Sequence, residues 1–389
     1  MNTGKTIFSQ VMYYLPVRRF KTCVDRYHGD KGVRTLSCLD QFQCMSFAQL
    51  TYRESLRDIV TCLQAVKPML YHMGIRGTVA KSTLADANCK RDWRIYADSA
   101  NILIQRAKRL YANTPLPVDL DATAYALDST VIDLCMSMFP WAAYKSTKSA
   151  VKLHTLLNIR GDIQEFIHIS DGKLADMEAL DYIPIKPGTF TIMDRGYVDF
   201  ARLYRFEQSK AFFIVRAKSN LNFRRRYSAQ VDKTTGVLCD QMIVLTSFYP
   251  AREYPHALRR ICYFDIEQNR HFVFLTNNFD LPALTIAELY RSRWRVELFF
   301  KWIKQHLRIK TFYGTDENAV KTQIWIAVSA YLLVAIMKKE LRLEQSMYEI
   351  LQILSITILQ KTPVLQVFSD YHDSTKNTCP ANQLKLFDF

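Results

Sequence analysis

The sequence lacks the cysteine patterns that mark disulfide-rich or zinc-binding domains. Its nine cysteines are an odd number, lie scattered along the chain and include no Cys-x-x-Cys pair. A secreted disulfide framework and a zinc ribbon are therefore not expected, and a reducing cytosolic compartment is favoured.

The sequence also lacks the segments that direct a chain to a membrane. Residues 1–10 contain no apolar core of a signal peptide. The most apolar run, 324–337, is shorter than the roughly 20 residues that a membrane helix needs and predicts a buried helix. We therefore expect a cytoplasmic protein with no membrane partner.

Acidic residues are scarce relative to basic ones. The chain has 52 Lys and Arg against 37 Asp and Glu, which gives a formal net charge of +15. A field of this sign favours a polyanionic partner, and no basic amphipathic segment stands apart to bind a membrane surface. With 389 residues, of which 49% are hydrophobic, the chain should fold into more than one domain.

The stretch 285–308 predicts a long helix with one carboxylate among cations. Thr285 and Glu288 have the spacing of a capping box. Helical periodicity predicts a buried face made of Val296, Phe299, Phe300, Ile303 and Leu307. It places Glu297 on a polar stripe with Tyr290, Arg293, Lys301, Lys304 and Arg308.

Two interpretations of this stripe are open. Arg293 and Lys301 both lie four residues from Glu297, which suits a solvated face with intrahelical ion pairs. Alternatively, Glu297 is a metal ligand surrounded by groups that hold a phosphodiester. The second interpretation requires partner carboxylates elsewhere in the chain.

Residues 1–117 are predicted to be mostly helical. Within 77–96, a turn is followed by Ser82 or Thr83 as a helix N-cap and by a basic helix. This pattern is typical of a helix-turn-helix-like DNA reader, although an ordinary capped surface helix has it too. Pro115 and Pro117 mark a domain boundary.

The sequence after this boundary is typical of β-strands. We expect strands at 124–134, 151–158, 163–169, 190–193 and 211–215, with short helices at 176–182 and before 208. This order predicts a mixed sheet with helices on both faces. Residues from about 218 to 283 predict a β-rich insertion with strands at 242–248, 260–266 and 271–276. Three helices, including 347–359 and 364–371, should complete the chain.

Two aspartates occupy positions in strands where a carboxylate is costly unless it is paired or binds a cation. Asp128 lies within one apolar strand and Asp194 ends another. Asp133 is an odd number of residues from Asp128 and should face the other side of the sheet. Asp128, Asp194 and Glu297 would form an all-oxygen site for two Mg²⁺ or Mn²⁺ ions, which suits phosphodiester chemistry.

The spacing of residues on the predicted helix carries a resemblance to a known family. Tyr290, Arg293, Glu297 and Lys304 have the spacing Tyr-(2)-Arg-(3)-Glu-(6)-Lys. The sequence resembles the DDE transposases of bacterial insertion sequences, in the cut-and-paste branch with this signature. The other matching segments are Leu-Asp-Ser-Thr around Asp128, Asp-Arg-Gly-Tyr from Asp194, Val-Arg-Ala-Lys with Arg216 and Lys218, and 141–154 with Lys152.

The resemblance implies an α/β fold with an RNase H-like mixed-sheet core. It implies a helical N-terminal DNA-binding domain at 1–117, a catalytic core at 118–310 with its insertion at about 218–283, and C-terminal helices at 311–389 that could mediate dimerisation. The implied activity is metal-dependent cleavage at transposon ends and strand transfer into target DNA through a hairpin. A homodimer on double-stranded DNA, associated with the nucleoid in the cytoplasm, is expected.

Residue roles follow from this resemblance. Asp128, Asp194 and Glu297 are the expected catalytic and metal-binding residues. Trp294 is interpreted as a core residue, with stacking on a distorted base as the alternative. Expected DNA contacts are Tyr290, Arg293 and Lys304, with Lys301, Arg216, Lys218 and Lys152 as further candidates. A catalytically dead DNA-binding remnant or repressor and a structure-specific RNase H-like nuclease remain the alternative functions.

Overall fold

The structure is a computed structural model that describes residues 4–116, 118–145, 148–306 and 312–369. The predicted helix residues Leu307 and Arg308 fall outside this part of the chain, as do residues 117 and 310 at the two predicted domain boundaries. Of the last predicted helix, residues 364–369 are helical and the remainder lies outside the described residues.

The described residues form two compact units. The first contains those within Met1–Leu110, Gln305–Gly314 and Asn318–Phe389, and the second contains those within Tyr111–Lys304 and Thr315–Glu317. The helices are α1 (Ile7–Met12), α2 (Val17–Arg26), α3 (Cys38–Leu50), α4 (Leu56–Ala65), α5 (Leu70–Met73), α6 (Lys81–Lys90), α7 (Arg94–Tyr111), α8 (Phe200–Gln208), α9 (Phe248–Glu253), α10 (Ala283–Arg291), α11 (Trp294–His306), α12 (Glu317–Glu340) and α13 (Met347–Thr357).

The first unit is built around two buried helices. Every residue from Gln41 to Leu50 of α3 is buried, and so are 18 of the 24 residues of α12. By length and hydropathy α12 could cross a membrane, but 94% of its most apolar window is buried inside the protein. The apolar run at 324–337 therefore forms a core helix, as predicted.

The start of α6 differs from the prediction. Its N-cap is Ala80, which makes no side-chain hydrogen bond, so neither Ser82 nor Thr83 caps the helix. Val79 and Leu84 occupy the two positions of a hydrophobic staple and are both buried. Apolar burial rather than a hydroxyl cap therefore sets the start of this helix.

The second unit contains one mixed sheet. Its strands are β1 (Ala124–Leu134), β2 (Ala143–Lys145), β3 (Lys148–Asn158), β4 (Ile163–Asp171), β5 (Phe190–Met193), β6 (Phe212–Arg216), β7 (Phe223–Ala229), β8 (Val237–Leu245), β9 (Leu258–Asp265) and β10 (Arg270–Thr276). The strand order is β2-β3-β1-β5-β6-β10-β9-β8-β7, and β4 also pairs with β3. The β1–β5 and β5–β6 pairs are parallel, whereas β3 is antiparallel to both β1 and β4.

Strands β7–β10 of the β-rich insertion continue the same sheet, because β10 pairs with β6. Two elements there were not predicted. The edge strand β7 was missed because it is exposed on both faces, so its side chains carry no hydrophobic alternation. The predicted strand 242–248 instead ends at Leu245, and Phe248 begins α9.

The helix predicted over 285–308 is interrupted. It begins at Ala283 after Pro282, no side-chain cap forms, and α10 ends at Arg291. At the break, the N–H of Arg293 donates to Tyr290 O and the N–H of Val296 donates to Arg293 O, which are tight three-residue turns. The Ser292 hydroxyl donates to Glu288 O, a contact that bends helices.

Candidate active site

The pairing of β1 with β5 brings two aspartates together. Ala124 pairs with Phe190 and Ala126 with Ile192 in a parallel register. This pairing ends at Ala126 and Ile192, and Asp128 and Asp194 each lie two residues further along the chain. Adjacent strands lie about 4.8 Å apart, and, besides burial, the negative charge of Asp194 contributes to raising the pKa of Asp128, so the two carboxylates lie near one another.

Asp128 is largely withdrawn from solvent, with 18% of its side chain exposed. Its Oδ1 accepts a hydrogen bond of 2.8 Å from the N–H of Ser129. Burial raises the pKa of Asp128 to about 6, although Arg293 and the Ser129 N–H act in the opposite direction. A carboxylate in this position needs a nearby cation to stay ionised.

Asp194 stands at the carboxyl end of β5 and caps the short turn Arg195–Tyr197. Its Oδ1 accepts a hydrogen bond of 2.6 Å from the N–H of Gly196. A Cβ at position 196 would lie 2.9 Å from this oxygen. Glycine is therefore required for Asp194 to keep this orientation.

Arg293 connects the sheet to the third predicted carboxylate. It lies in the break between α10 and α11, and its two terminal nitrogens donate to Asp128 Oδ2 over 2.6 Å and to Glu297 Oε1 over 2.5 Å. Only 16% of its side chain is exposed. Burial alone would lower the pKa of Arg293, but Asp128, Tyr290 and Glu297 raise it, so the guanidinium stays charged.

Tyr290 packs beneath this guanidinium. It is buried, its ring centroid lies 4.5 Å from that of Phe274, and the Arg293 guanidinium lies 5.8 Å from its ring. Burial raises the pKa of its phenol. The predicted neighbour Trp294 is 58% exposed, so its interpretation as a core residue is wrong.

The remaining predicted DNA contacts fall into three environments. Lys301 is exposed on α11. Lys304 Nζ donates to Val131 O, Lys218 Nζ donates to Val198 O, and the Arg216 guanidinium lies over the Phe272 ring at 5.2 Å. Lys152 differs from these, because only 10% of its side chain is exposed and its Nζ is 2.7 Å from Asp176.

A polar cluster that sequence reasoning missed lies on the opposite face of the sheet. Asp176 was predicted only as the start of a short helix, yet its Oδ1 accepts hydrogen bonds from Ser129 Oγ and Lys152 Nζ. Burial would raise the pKa of Asp176, but these two donors lower it below its ordinary value. Tyr197 is buried near this cluster, and burial raises the pKa of its phenol. The sequence carries no signal that would have paired Lys152 with Asp176.

The donor set of Asp128, Asp194 and Glu297 fits a hard divalent cation, because all its ligand atoms are carboxylate oxygens. Among the described residues, no group of three or more acidic, histidine or cysteine side chains already converges as metal ligands. The Arg293 guanidinium contacts one oxygen of Asp128 and one oxygen of Glu297. An ion held by these same oxygens would have to displace the guanidinium or share the carboxylates with it.

Comparisons with known proteins match both regions of the chain. A family model described as the transposase DDE domain matches residues 119–333. A domain of unknown function, DUF4372, matches residues 3–76.

Named relatives extend this similarity. The putative transposase y4zB of Sinorhizobium fredii is 32% identical over 65% of this chain and 70% of its own. The probable transposase for insertion sequence element IS5377 of Geobacillus stearothermophilus is 29% identical over 53% of this chain and 54% of its own. The putative transposase for IS4SA of Synechocystis is 23% identical over 70% of this chain and 76% of its own.

Proposed function

The chain belongs to the family of DDE-domain transposases, and we propose that it cuts DNA at the ends of an insertion sequence and joins those ends to target DNA. The observation that carries this proposal is the contact of Arg293 with both Asp128 and Glu297, beside the parallel β1–β5 pair whose ends lead to Asp128 and Asp194. In the proposed course, hydrolysis frees a 3′-hydroxyl, which attacks the opposite strand to form a hairpin. The hairpin is reopened and the 3′-hydroxyl then attacks the target.

The order of the first strands supports an RNase H-like core for this activity. Strands β4, β3 and β1 are antiparallel neighbours, and β5 and β6 follow in parallel beside β1. This arrangement places Asp128 mid-strand and Asp194 at a strand end on adjacent strands. Helix α11 then supplies Glu297 from its first turn.

The proposed roles of the side chains follow from their positions. Asp128, Asp194 and Glu297 would hold two Mg²⁺ or Mn²⁺ ions, which when bound activate the attacking oxygen and stabilise the leaving oxygen. Arg293 donates to Asp128 and Lys304 donates to Val131 O of β1, and we assign both cations to the phosphates beside the scissile bond. Tyr290 orients Arg293 by packing against it.

An exposed cationic surface on the insertion supports DNA as the partner. We use the name β7–α9 surface for exposed residues on both faces of the edge strand β7 and on α9, namely Arg224, Arg225, Arg226, Tyr227, Phe248 and Tyr249. Exposed arginines on an edge strand could serve only to prevent aggregation at the sheet edge. Phe248 and Tyr249 are 73% and 71% exposed, and exposed aromatic rings would promote aggregation rather than prevent it. Their exposure fits stacking on bases beside the phosphates that the arginines contact.

The remaining assignments complete the proposal. We assign DNA binding to residues 1–117, catalysis to 118–310 and dimerisation to 311–389. In the first unit, α2 exposes Arg18, Arg19 and Lys21 on one surface, whereas Lys90 of α6 pairs with Asp86. This distribution favours α2 over α6 as the helix that contacts the phosphate backbone. The protein would act as a homodimer in the cytoplasm, on the nucleoid.

Cleavage of a labelled duplex that carries the element's own terminal repeat tests the proposal. Wild type, Glu297→Gln and the control Glu267→Gln, whose carboxylate is exposed on the turn after β9, are compared with Mg²⁺, with Mn²⁺ and with EDTA. Wild type and the control should produce nicks, hairpins and joined products only with metal, whereas Glu297→Gln should bind the duplex without cutting it. Binding without cleavage by wild type in both metals would instead identify a DNA-binding remnant, and cleavage without joining would identify a nuclease.

A further inference from the structure

Each of the two sheet aspartates accepts a hydrogen bond from a backbone N–H. Asp128 Oδ1 accepts from Ser129 over 2.8 Å, and Asp194 Oδ1 accepts from Gly196 over 2.6 Å. These donors determine how each carboxylate is oriented. A group that contacts Ser129 and lies beside Gly196 is therefore placed to influence both aspartates.

Asp176 is such a group. Its Oδ1 accepts a hydrogen bond of 2.5 Å from Ser129 Oγ. Its Oδ2 lies 3.4 Å from the position that a Cβ would take at Gly196. Because successive side chains of a strand point to opposite faces, Ser129 meets Asp176 on the face of the sheet opposite Asp128.

Asp176 is itself anchored. Lys152 Nζ lies 2.7 Å from Asp176 Oδ1 and also donates to Leu174 O over 3.0 Å. Lys152 is on β3 opposite Val131 of β1, so its stem is held by the sheet. The pair is electrically neutral as a whole and adds no net charge beside the three predicted ligands. Because Lys152 offsets the charge of Asp176, we do not assign Asp176 as a fourth metal ligand.

We propose that Asp176, anchored by Lys152, is a positioning residue that orients Asp128 through Ser129 and Asp194 through Gly196. The inference rests on the proposed function, since it assigns Asp128 and Asp194 to a metal site. Asp176 touches neither the DNA nor the metal in this scheme. Its removal loosens the two N–H donors and leaves the ligands themselves in place.

Two readouts test this role, and one of them needs neither metal nor activity. The first is amide hydrogen exchange of the metal-free protein over peptides that contain Ser129 and Gly196. The second is Mn²⁺ affinity, measured by the electron paramagnetic resonance signal of unbound Mn²⁺. Asp176→Asn should accelerate exchange in both peptides and weaken Mn²⁺ binding by about 10- to 100-fold, the usual loss when a residue that orients a metal ligand is replaced.

Matched variants distinguish a loss of positioning from a general folding defect. Asp176→Asn leaves the Lys152 ammonium buried without a counter-charge, so Asp176→Asn/Lys152→Met is made as well and should show the same losses. Ser129→Ala changes no charge and should weaken Mn²⁺ binding in the same direction. Asp181→Asn removes an exposed carboxylate that pairs with Arg202 and Arg205, and should leave both readouts unchanged.

The outcomes separate this inference from the function on which it rests. If the Asp176 variants exchange and bind Mn²⁺ like wild type while Glu297→Gln loses Mn²⁺ binding, Asp176 has no positioning role and the metal site stands. If wild type binds no Mn²⁺ and cuts no DNA, the proposed function fails. Faster exchange at Ser129 and Gly196 in the Asp176 variants would still support the contacts described above.

Discussion

The guanidinium of Arg293 donates a hydrogen bond of 2.6 Å to Asp128, from which it is separated by 165 residues. It also donates to Glu297 over 2.5 Å. One cation therefore contacts two of the three carboxylates that the proposed metal site requires and offsets one of their two negative charges. The oxygens that Arg293 contacts belong to two of the proposed metal ligands, so Arg293 and a divalent ion would compete for them.

This competition predicts opposite effects on metal binding and on catalysis when Arg293 is replaced by glutamine. Arg293→Gln should raise the Mn²⁺ affinity of the DNA-free protein, by about tenfold for a loss of about 1.4 kcal/mol of competing interaction. The same substitution should slow cleavage of a labelled end duplex, because glutamine lacks the charged guanidinium whose two parallel N–H groups would hold the phosphate. Titration with Mn²⁺ and single-turnover cleavage measure the two effects.

Arg291→Gln is the matched control, since Arg291 is half-exposed near Asp265 and lies outside this carboxylate group. Arg291→Gln should change neither the Mn²⁺ affinity nor the cleavage rate. A fall in Mn²⁺ affinity in Arg293→Gln would contradict the competition and would indicate that Arg293 supports the ligand geometry instead.

The strands that carry the first two aspartates could be predicted from sequence to the residue. Strands 124–134 and 190–193 have the predicted bounds, because buried β-branched and apolar runs are confined by turn residues on both sides. The alternation rule also separated Asp128 from Asp133. Local patterns suffice here because each strand is specified by its own side chains.

Features that depend on contacts across the sheet could not be predicted. The break at Ser292 and Arg293 contains neither glycine nor proline, and it forms where Arg293 meets Asp128 on another element. The ion pair of Lys152 could not be predicted for the same reason, because it too depends on a residue that is distant along the chain. From the sequence we expected Lys152 to contact DNA. Its partner Asp176 is 24 residues away along the chain, in a loop that carries no periodic signal.

Buried His154 predicts how stability changes in mild acid. Burial, followed by the charge of Lys152, lowers the pKa of His154 to about 4 from an ordinary value of 6.5. Between these two pH values the unfolded chain binds a proton that the folded protein does not, so the stabilisation from this group is present above pH 6.5 and is lost as the pH falls toward 4. The loss amounts to about 3 kcal/mol of unfolding free energy.

Urea unfolding at pH 7.5 and pH 5 measures this effect. His154→Gln should be less stable than wild type at pH 7.5, yet lose less stability on acidification. His271→Gln, which replaces an exposed histidine of the same unit, should keep the wild-type pH dependence. Equal pH dependence in wild type and His154→Gln would show that His154 gains its proton over the same pH range in the folded protein and in the unfolded chain.

A methyl group at Gly196 should impair catalysis more than folding. The new Cβ would lie 2.9 Å from Asp194 Oδ1, so the carboxylate must turn away from its present position. Misplacement of a catalytic group by about 1 Å can cost about 100-fold in rate. Gly196→Ala should therefore cut the labelled duplex about 100-fold more slowly, with its melting temperature and its affinity for the duplex close to those of wild type. A wild-type cleavage rate would show that the Asp194 orientation is not critical.

The β7–α9 surface predicts a change in the salt dependence of DNA binding. Each arginine that contacts a phosphate contributes about 0.9 to the slope of log affinity against log salt concentration. Arg224→Gln/Arg225→Gln should therefore make this slope shallower by about 2 for a labelled 40-bp duplex, as measured by fluorescence anisotropy at several salt concentrations. The matched control is Lys210→Gln/Lys233→Gln, which also removes two exposed charges from the second unit. Because the control changes net charge equally, an identical slope in both double variants would mean that β7 contributes only to the general positive field and makes no phosphate contacts.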